Sequence, residues 1–96
     1  MPRLRVRKIA RAEIVAALEW YLERSPRAAE RFLEAVDVAM RRIEEEPKRY
    51  QVIRGRLRRV LLEAFPYGVF YKVYPSVISV VGVIHGSRHP DTWLRR

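Results

Sequence analysis

After the first nine residues, the spacing of the apolar residues changes once along the 96-residue chain, at Pro47. Before Pro47 the apolar residues recur every three or four positions, which is the period of one face of an α-helix. After it, short runs rich in Val, Ile, Tyr and Phe are typical of β-strands. This order predicts an α+β protein with its helices first and most of its sheet afterwards. A chain of this length suits one modest core, so we expect residues 1–96 to form a single domain.

Two helices are predicted before Pro47, in the segments "ARAEIVAALEWYLERS" and "SPRAAERFLEAVDVAMRRIEEEP". Ser25 is a good N-cap for the second helix, and Pro26 suits its first position. Pro47 predicts its end. Because the Ser25-Pro26 junction allows only a tight turn, the helices should form an antiparallel hairpin.

The remaining elements are predicted to be strands. In the N-terminal segment "RLRVRKI", arginines alternate with mostly apolar residues. This pattern predicts a short strand that pairs with a strand distant in sequence. Four later runs follow the helices: "YQVI", "LRRVLLEAF", "YGVFYKVY" and "VISVVGVIH". We therefore predict an N-terminal strand, the helical hairpin, and then a three- to four-stranded, largely antiparallel twisted sheet. The helices should cover one face of this sheet and leave the other partly open.

The basic charge is concentrated in the second half of the chain. The formal net charge is +9, and residues 47–96 contain ten basic but only two acidic side chains. Such a surface would attract a polyanion, although it could also serve only to keep the protein soluble. The absence of cysteine excludes disulfides and cysteine-ligated zinc, and suits a cytoplasmic location. No apolar run approaches the roughly 20 residues that span a bilayer, so no membrane partner is expected.

A polar cluster follows the last predicted strand, and it contains His85, Arg88, His89 and Trp93. Histidine can exchange a proton near neutral pH, and the arginine fork binds phosphate in paired hydrogen bonds. Together with the arginines of the earlier strands, these groups would suffice for metal-free RNA cleavage. The candidate catalytic residues are Arg58, Arg59, His85, Arg88 and His89. A structural role for each remains the alternative.

Further residues are candidates for binding RNA or another target: Arg56, Tyr67, Tyr71, Lys72 and Trp93. Exposed tyrosines can stack on unpaired bases, but the same tyrosines could equally pack within the sheet. Strict alternation places His85 on the same face as Val81 and Val83. We expect the arginines of the late strands to gather on the face that the helices leave bare. Only Asp91 lies near either histidine in sequence, so neither a metal site nor any cofactor is expected.

Three segments carry a resemblance to a known family: "SPRAAERFLEAV", "LRRVLLEAFPYGVFYKV" and "VIHGSRHPDTW". In this order and spacing they resemble toxins of the RelE/ParE superfamily, which belong to type II toxin–antitoxin (plasmid stabilisation) systems. The resemblance implies the same strand, helical hairpin and antiparallel sheet. It places the Arg58/Arg59 pair at the sheet arginine of the RNA-cleaving branch. It places His85, Arg88 and His89 where the late catalytic groups of that branch lie.

The resemblance implies two alternative activities. RelE-like members cleave messenger RNA on the ribosome, and we take this as the first expectation. ParE-like members poison DNA gyrase without a nuclease site, and this is the alternative. The basic charge by itself leaves a further alternative, a basic nucleic-acid-binding domain. This chain lacks the C-terminal tyrosine of the RelE-like pattern, and Lys72 is its only lysine after Lys48.

The resemblance also implies partners. The first is a cognate antitoxin whose acidic or amphipathic segment is disordered until bound. It could lie along the helical hairpin or add a strand to the sheet, with Trp20, Leu22 and Val38 as possible contacts. The second partner is the target, either the ribosome with its mRNA or DNA gyrase.

Overall fold

The computed structural model describes residues 2–96. The elements follow one another as β1 (Arg3–Val6), α1 (Lys8–Arg24), α2 (Pro26–Glu45), β2 (Gln51–Arg54), β3 (Leu57–Leu61), β4 (Tyr67–Val73) and β5 (Val77–His85). A short 3₁₀ turn, η1 (Pro90–Thr92), precedes the C-terminus. The predicted α+β class and the order of its elements are confirmed.

The helical hairpin forms where the sequence predicts it. The Ser25 hydroxyl accepts a hydrogen bond from the Ala28 N–H at 3.2 Å, and Pro26 occupies the first turn of α2. One side of α2 is buried along its length: Ala29, Phe32, Val36, Ala39 and Ile43. Burial of each large apolar side chain contributes about 2 kcal/mol, so this stripe holds α2 on the sheet. Within residues 2–96 neither helix is long and apolar enough to cross a bilayer.

The five strands form one sheet in the order β1-β5-β4-β3-β2. Strands β2 to β5 are antiparallel to their neighbours, whereas β1 runs parallel to β5, with Arg3 opposite Val77 and Val6 opposite Val80. The N-terminal strand therefore pairs with a distant strand, as predicted. The Pro75-Ser76 turn joins β4 to β5, closed by a 2.8 Å bond from the Tyr74 N–H to the Val77 carbonyl.

A β-bulge in β5 changes which residues share a face. Phe70 lies opposite Gly82 and Tyr71 lies opposite Val80, so Val81 is an extra residue on β5. Beyond the bulge the alternation is shifted by one position. His85 therefore lies on the helix side with Val83, while Val81 packs on the opposite side. The predicted shared face of Val81 and His85 is wrong for this reason.

The sheet face away from the helices is not bare. Leu57, Phe70, Val81 and Ile84 form a second apolar cluster there, and the chain after β5 folds back over it. The Trp93 ring lies 4.2 Å from the Phe70 ring, centre to centre, and is 8% exposed. The expectation of an open face that collects the basic side chains is therefore wrong.

Candidate functional site

A groove between α1 and the end of the sheet brings together three of the predicted site residues, Tyr67, His85 and Arg88. We call it the α1–β5 groove. Its volume is about 470 Å³, and α1 closes it with Glu13, Ala17 and Trp20 among other residues. The groove thus brings a predicted tyrosine, histidine and arginine side by side.

His85 is the last residue of β5 and stands against Tyr67, its partner across the β4–β5 pair. The two rings meet edge to face with their centres 5.0 Å apart. The backbone N–H of Ser87 donates to His85 Nδ1 at 3.0 Å, and Ser87 Oγ lies 2.8 Å from the same nitrogen. Because a backbone N–H can only donate, Nδ1 is an acceptor, and the proton of the neutral ring is on Nε2.

His89 repeats this arrangement on the exposed turn that follows. Its Nδ1 accepts a 3.2 Å hydrogen bond from the Asp91 N–H and so caps the 3₁₀ turn η1. The neutral ring again keeps its proton on Nε2. In both histidines the ring lone pair is therefore occupied by the protein's own backbone, which leaves each neutral ring with only an N–H donor for a ligand.

Glu13 organises the groove from the α1 side. One carboxylate oxygen accepts from the Val83 N–H at 3.1 Å and from Arg96 Nη1 at 2.8 Å. The other accepts from Arg88 Nη1 at 2.7 Å and from Arg96 Nη2 at 3.0 Å. The side chains of Glu13 and Arg96 are 16% and 15% exposed, so this ion pair is largely desolvated. Val83 lies beyond the end of β1, and Glu13 satisfies a backbone group that β1 leaves unpaired.

The two tyrosines of the groove stay protonated at neutral pH. Burial raises the pKa of Tyr21. Burial, with a smaller contribution from neighbouring Tyr21, raises the pKa of Tyr67. Both rings pack with Phe32 and Phe65 in an aromatic cluster, with ring centres 5.2 to 6.5 Å apart. They shape one wall of the groove but are poor proton acceptors.

The two sheet arginines are not part of this groove. Arg58 and Arg59 are adjacent in β3 and point to opposite faces of the sheet. Arg58 is opposite Tyr71 and His85 is opposite Tyr67, so their backbones are two strands and four residues apart, about 16 Å. Arg58 Nη1 donates to the carbonyls of Lys48 at 3.0 Å and Tyr50 at 2.7 Å. The predicted gathering of the late-strand arginines on one bare face is therefore wrong, because Arg58 and Arg59 lie on opposite faces and Arg88 lies in the α1–β5 groove.

Arg59 and Lys72 lie on the face away from the helices. The Arg59 stem passes over Gly68, where an added Cβ would come within 3.1 Å of it, and its guanidinium reaches the Gln51 side chain at 3.2 Å. Lys72 donates to the backbone carbonyl of Arg96 at 3.0 Å. Both side chains hold neighbouring segments together.

Two predicted target contacts are buried. The Tyr71 side chain is fully buried, and its hydroxyl donates to the Pro47 carbonyl at 2.6 Å. Burial raises the pKa of Tyr71 to about 12, although the nearby Arg58 charge lowers it in part. Trp93 is covered as described above. The expectation that the Tyr71 ring is exposed for stacking on a base is wrong, and Trp93 likewise offers no open ring face.

Arg56 lies at the other end of the sheet, in the β2–β3 turn. It faces the Val73 carbonyl at 3.4 Å and stacks over the Tyr74 ring at 5.3 Å. Across residues 2–96, no three histidine, aspartate or glutamate side chains come close enough to share a metal ion.

Comparison with known proteins places this architecture in a family. The family described as the ParE toxin of type II toxin–antitoxin systems, parDE, matches residues 4–90. The chain belongs to the ParE toxin family. A solved structure described as the chromosomal ParDE TA system from P. aeruginosa has a similar fold, with a TM-score of 0.78 at 16% identity. The match covers 88% of this chain and 96% of that one. No curated protein matches the chain.

Sequence reasoning missed the central residue of this ParE-family groove. Glu13 is 70 positions from Val83 and 83 positions from Arg96, and nothing in the local pattern of α1 separates it from Glu19 or Glu23. Only the packing of α1 against β5 reveals its role. The available cue was indirect, because Glu13 is the first carboxylate of a strongly basic N-terminus.

Proposed function

We propose that this protein is the toxin of a ParDE-type pair and that it inhibits DNA gyrase by binding, without cleaving RNA. The observation that carries the proposal is the state of its two histidines. Their ring lone pairs accept backbone hydrogen bonds, from Ser87 to His85 and from Asp91 to His89. RNA cleavage through the 2′-hydroxyl needs a base with a free lone pair, and neither neutral ring offers one.

The other candidate bases in the groove do not replace them. The Glu13 carboxylate is held by Arg88 and Arg96, and Tyr67 has a raised pKa. The sheet arginine Arg58, which would bind the phosphate in the RelE-like assignment, is about 16 Å from His85 along the sheet. The groups that RNA cleavage would need are thus not brought together in one site. Inhibition of gyrase by binding is therefore the better supported alternative.

A cognate antitoxin is the second part of the proposal. Trp20 and Leu22 are 50% and 49% exposed on α1, and Val38 lines a groove beside α2 next to Leu61, which is 62% exposed. The α2 groove has a volume of about 520 Å³ and is also lined by Arg27, Arg31 and Arg42. Apolar contacts flanked by arginines suit an amphipathic acidic segment. The match to the parDE family supports the existence of such a partner.

The test is a pair of assays on one preparation of purified toxin. A supercoiling assay with gyrase and relaxed plasmid should show inhibition at micromolar toxin, and toxin premixed with its antitoxin should show none. A translating extract given the same toxin should keep its transcripts intact, as judged by primer extension.

The opposite pattern would overturn the proposal. Transcripts cut in the extract, together with unimpaired supercoiling, would restore the RNA-cleaving assignment. In that case His85→Ala should slow cleavage by about 10²- to 10⁴-fold, the usual contribution of a proton-transfer group.

A further inference from the structure

Three turns meet at the end of the sheet opposite His85 and enclose a strongly basic cavity. They are the α2–β2 connection, the β2–β3 turn and the β4–β5 turn. The cavity has a volume of about 690 Å³ and is lined by Lys48, Arg49, Arg56 and Arg58. We call it the basic cavity. We propose that it binds the phosphodiester backbone of duplex DNA.

The basic cavity carries positive charge that nearby carboxylates do not balance. Four basic side chains line the basic cavity, and the one carboxylate among its described residues is Glu46, which pairs with Arg49 at 3.5 Å. The other grooves differ. In the α1–β5 groove Arg88 is neutralised by Glu13 at 2.7 Å. In the α2 groove three arginines are accompanied by Glu34 and Glu63. The basic cavity therefore keeps the largest excess of positive charge.

Neutral groups hold the arginines of the basic cavity in place. Arg58 uses Nη1 for the carbonyls of Lys48 and Tyr50, and Arg56 rests on Tyr74 and faces the Val73 carbonyl. Neutral carbonyls orient a guanidinium without cancelling its charge. An arginine has five N–H donors, and donors on the remaining nitrogens can still bind a phosphate.

The lining of the basic cavity suits the phosphates of a nucleic acid better than its bases. Single-stranded RNA is usually recognised by bases stacked on open aromatic rings. In the basic cavity the Tyr74 ring carries the Arg56 guanidinium at 5.3 Å, and nearby Tyr71 is fully buried with its hydroxyl bonded to the Pro47 carbonyl. The cavity thus offers charge and fixed donors in place of a stacking platform, which suits phosphates. The choice of duplex DNA rests on the proposed function, because gyrase acts on duplex DNA.

The test measures binding of the purified toxin to a fluorescent 20-base-pair duplex, without gyrase, from 50 to 200 mM salt. The cavity variant is Lys48→Gln with Arg56→Gln. The matched control is Lys8→Gln with Arg11→Gln, which removes the same two charges from the exposed surface of α1. Arg58 is left intact because it supports the α2–β2 connection.

Each phosphate contact contributes about 0.9 to the slope of log affinity against log salt. We expect the cavity variant to lower this slope by about 2 and to weaken binding at 0.1 M salt about tenfold or more. The control should stay within about threefold of the parent protein.

Equal losses in the two variants would overturn the proposal, because they would show that net charge alone attracts DNA. Tighter binding of a 20-nucleotide single-stranded RNA through the same two residues would overturn the assignment to DNA. The supercoiling assay keeps this proposal separate from the proposed function. If the toxin inhibits gyrase but its DNA binding does not depend on Lys48 and Arg56, only the proposal for the basic cavity is overturned. If its DNA binding depends on these residues but gyrase is not inhibited, only the proposed gyrase target is overturned.

Discussion

The two ends of the sheet both present arginines, but in opposite electrostatic settings. At the His85 end, Arg88 and Arg96 share the Glu13 carboxylate, and the three side chains tie α1, β5 and the C-terminus together. At the β2–β3 end, Arg56 and Arg58 meet only neutral carbonyls and an aromatic ring. The Glu13 carboxylate therefore neutralises the arginines at the His85 end, whereas Arg56 and Arg58 keep their positive charge for a ligand.

The largest effect should come from removing that carboxylate. Glu13→Ala leaves Arg96 largely buried without its partner and the Val83 N–H unpaired, so we expect the free energy of unfolding to fall by about 3 kcal/mol. Urea denaturation measures it, with Glu19→Ala on the exposed side of α1 as the control, expected within about 0.5 kcal/mol. A loss below 1 kcal/mol in Glu13→Ala would mean that the ion pair does not hold this end together.

The stability of the β2–β3 end depends instead on Tyr71, whose hydroxyl donates a hydrogen bond to the Pro47 carbonyl in the α2–β2 connection. The pKa of Tyr71 is raised to about 12, above the ordinary value near 10, so the folded state keeps the proton more tightly than the unfolded state. The resulting stability is complete below pH 10 and is lost as the pH rises from 10 to 12. We expect this contribution to be about 2 kcal/mol.

The measurement is urea unfolding at pH 8 and pH 11 for the parent protein and Tyr71→Phe. At pH 8 the free energy of unfolding of Tyr71→Phe should be about 1 kcal/mol below that of the parent protein, because the hydrogen bond is lost. Between pH 8 and pH 11 it should then fall less steeply than that of the parent protein. Parallel pH dependence in the two proteins would assign the alkaline loss to other groups, such as Tyr21 and Tyr67, whose pKa values burial also raises.

A smaller difference should separate equivalent substitutions at the two ends. Arg88→Gln removes a 2.7 Å contact with Glu13 and should lower the free energy of unfolding by about 1 kcal/mol. This is less than the loss expected for a buried ion pair, because the Arg88 side chain is 39% exposed. Arg56→Gln should change the free energy of unfolding by less than about 0.5 kcal/mol, since Arg56 makes one long hydrogen bond. Equal losses of unfolding free energy in the two variants would contradict the proposed difference between the two ends of the sheet.

The subtlest prediction concerns the histidine tautomers. When each ring is neutral, long-range ¹H–¹⁵N NMR spectra should show His85 and His89 with the proton on Nε2, because Nδ1 accepts from a backbone N–H in each. Ser87→Pro removes the donor to His85 and should release only that ring to a mixture of tautomers. A proton on Nδ1 of His85 in the parent protein would free Nε2 as a base and reopen the RNA-cleaving alternative.

Much of the fold followed from the sequence, because it depends on local patterns. The Ser25-Pro26 cap, the apolar stripe of α2 and the change of period at Pro47 each specify an element from its own residues. The family resemblance agreed with the same order of elements. The bulge at Val81 was missed, although Gly82 directly follows it and a glycine inside a strand often marks a bulge.

The site was predicted less well, and the reason is physical. Strict alternation placed His85 on the wrong face, and the bulge moved it to the helix side beside Tyr67. Whether an arginine is available depends on the charges around it in space, and Glu13 is far from Arg88 in sequence. Residue type alone identified candidates such as Arg56 and Arg88. It could not show that Arg88 is paired with a carboxylate whereas Arg56 is not.

The most direct test of the contrast between the two ends is an NMR titration of the ¹⁵N-labelled toxin with the 20-base-pair duplex. We expect amide shift changes confined to the turns of the basic cavity, in residues 46–50, 55–58 and 73–76. Glu13 and residues 85–88 should not move, because their charges are already paired. Shift changes centred on residues 85–88, or spread evenly over the basic surface, would contradict the account.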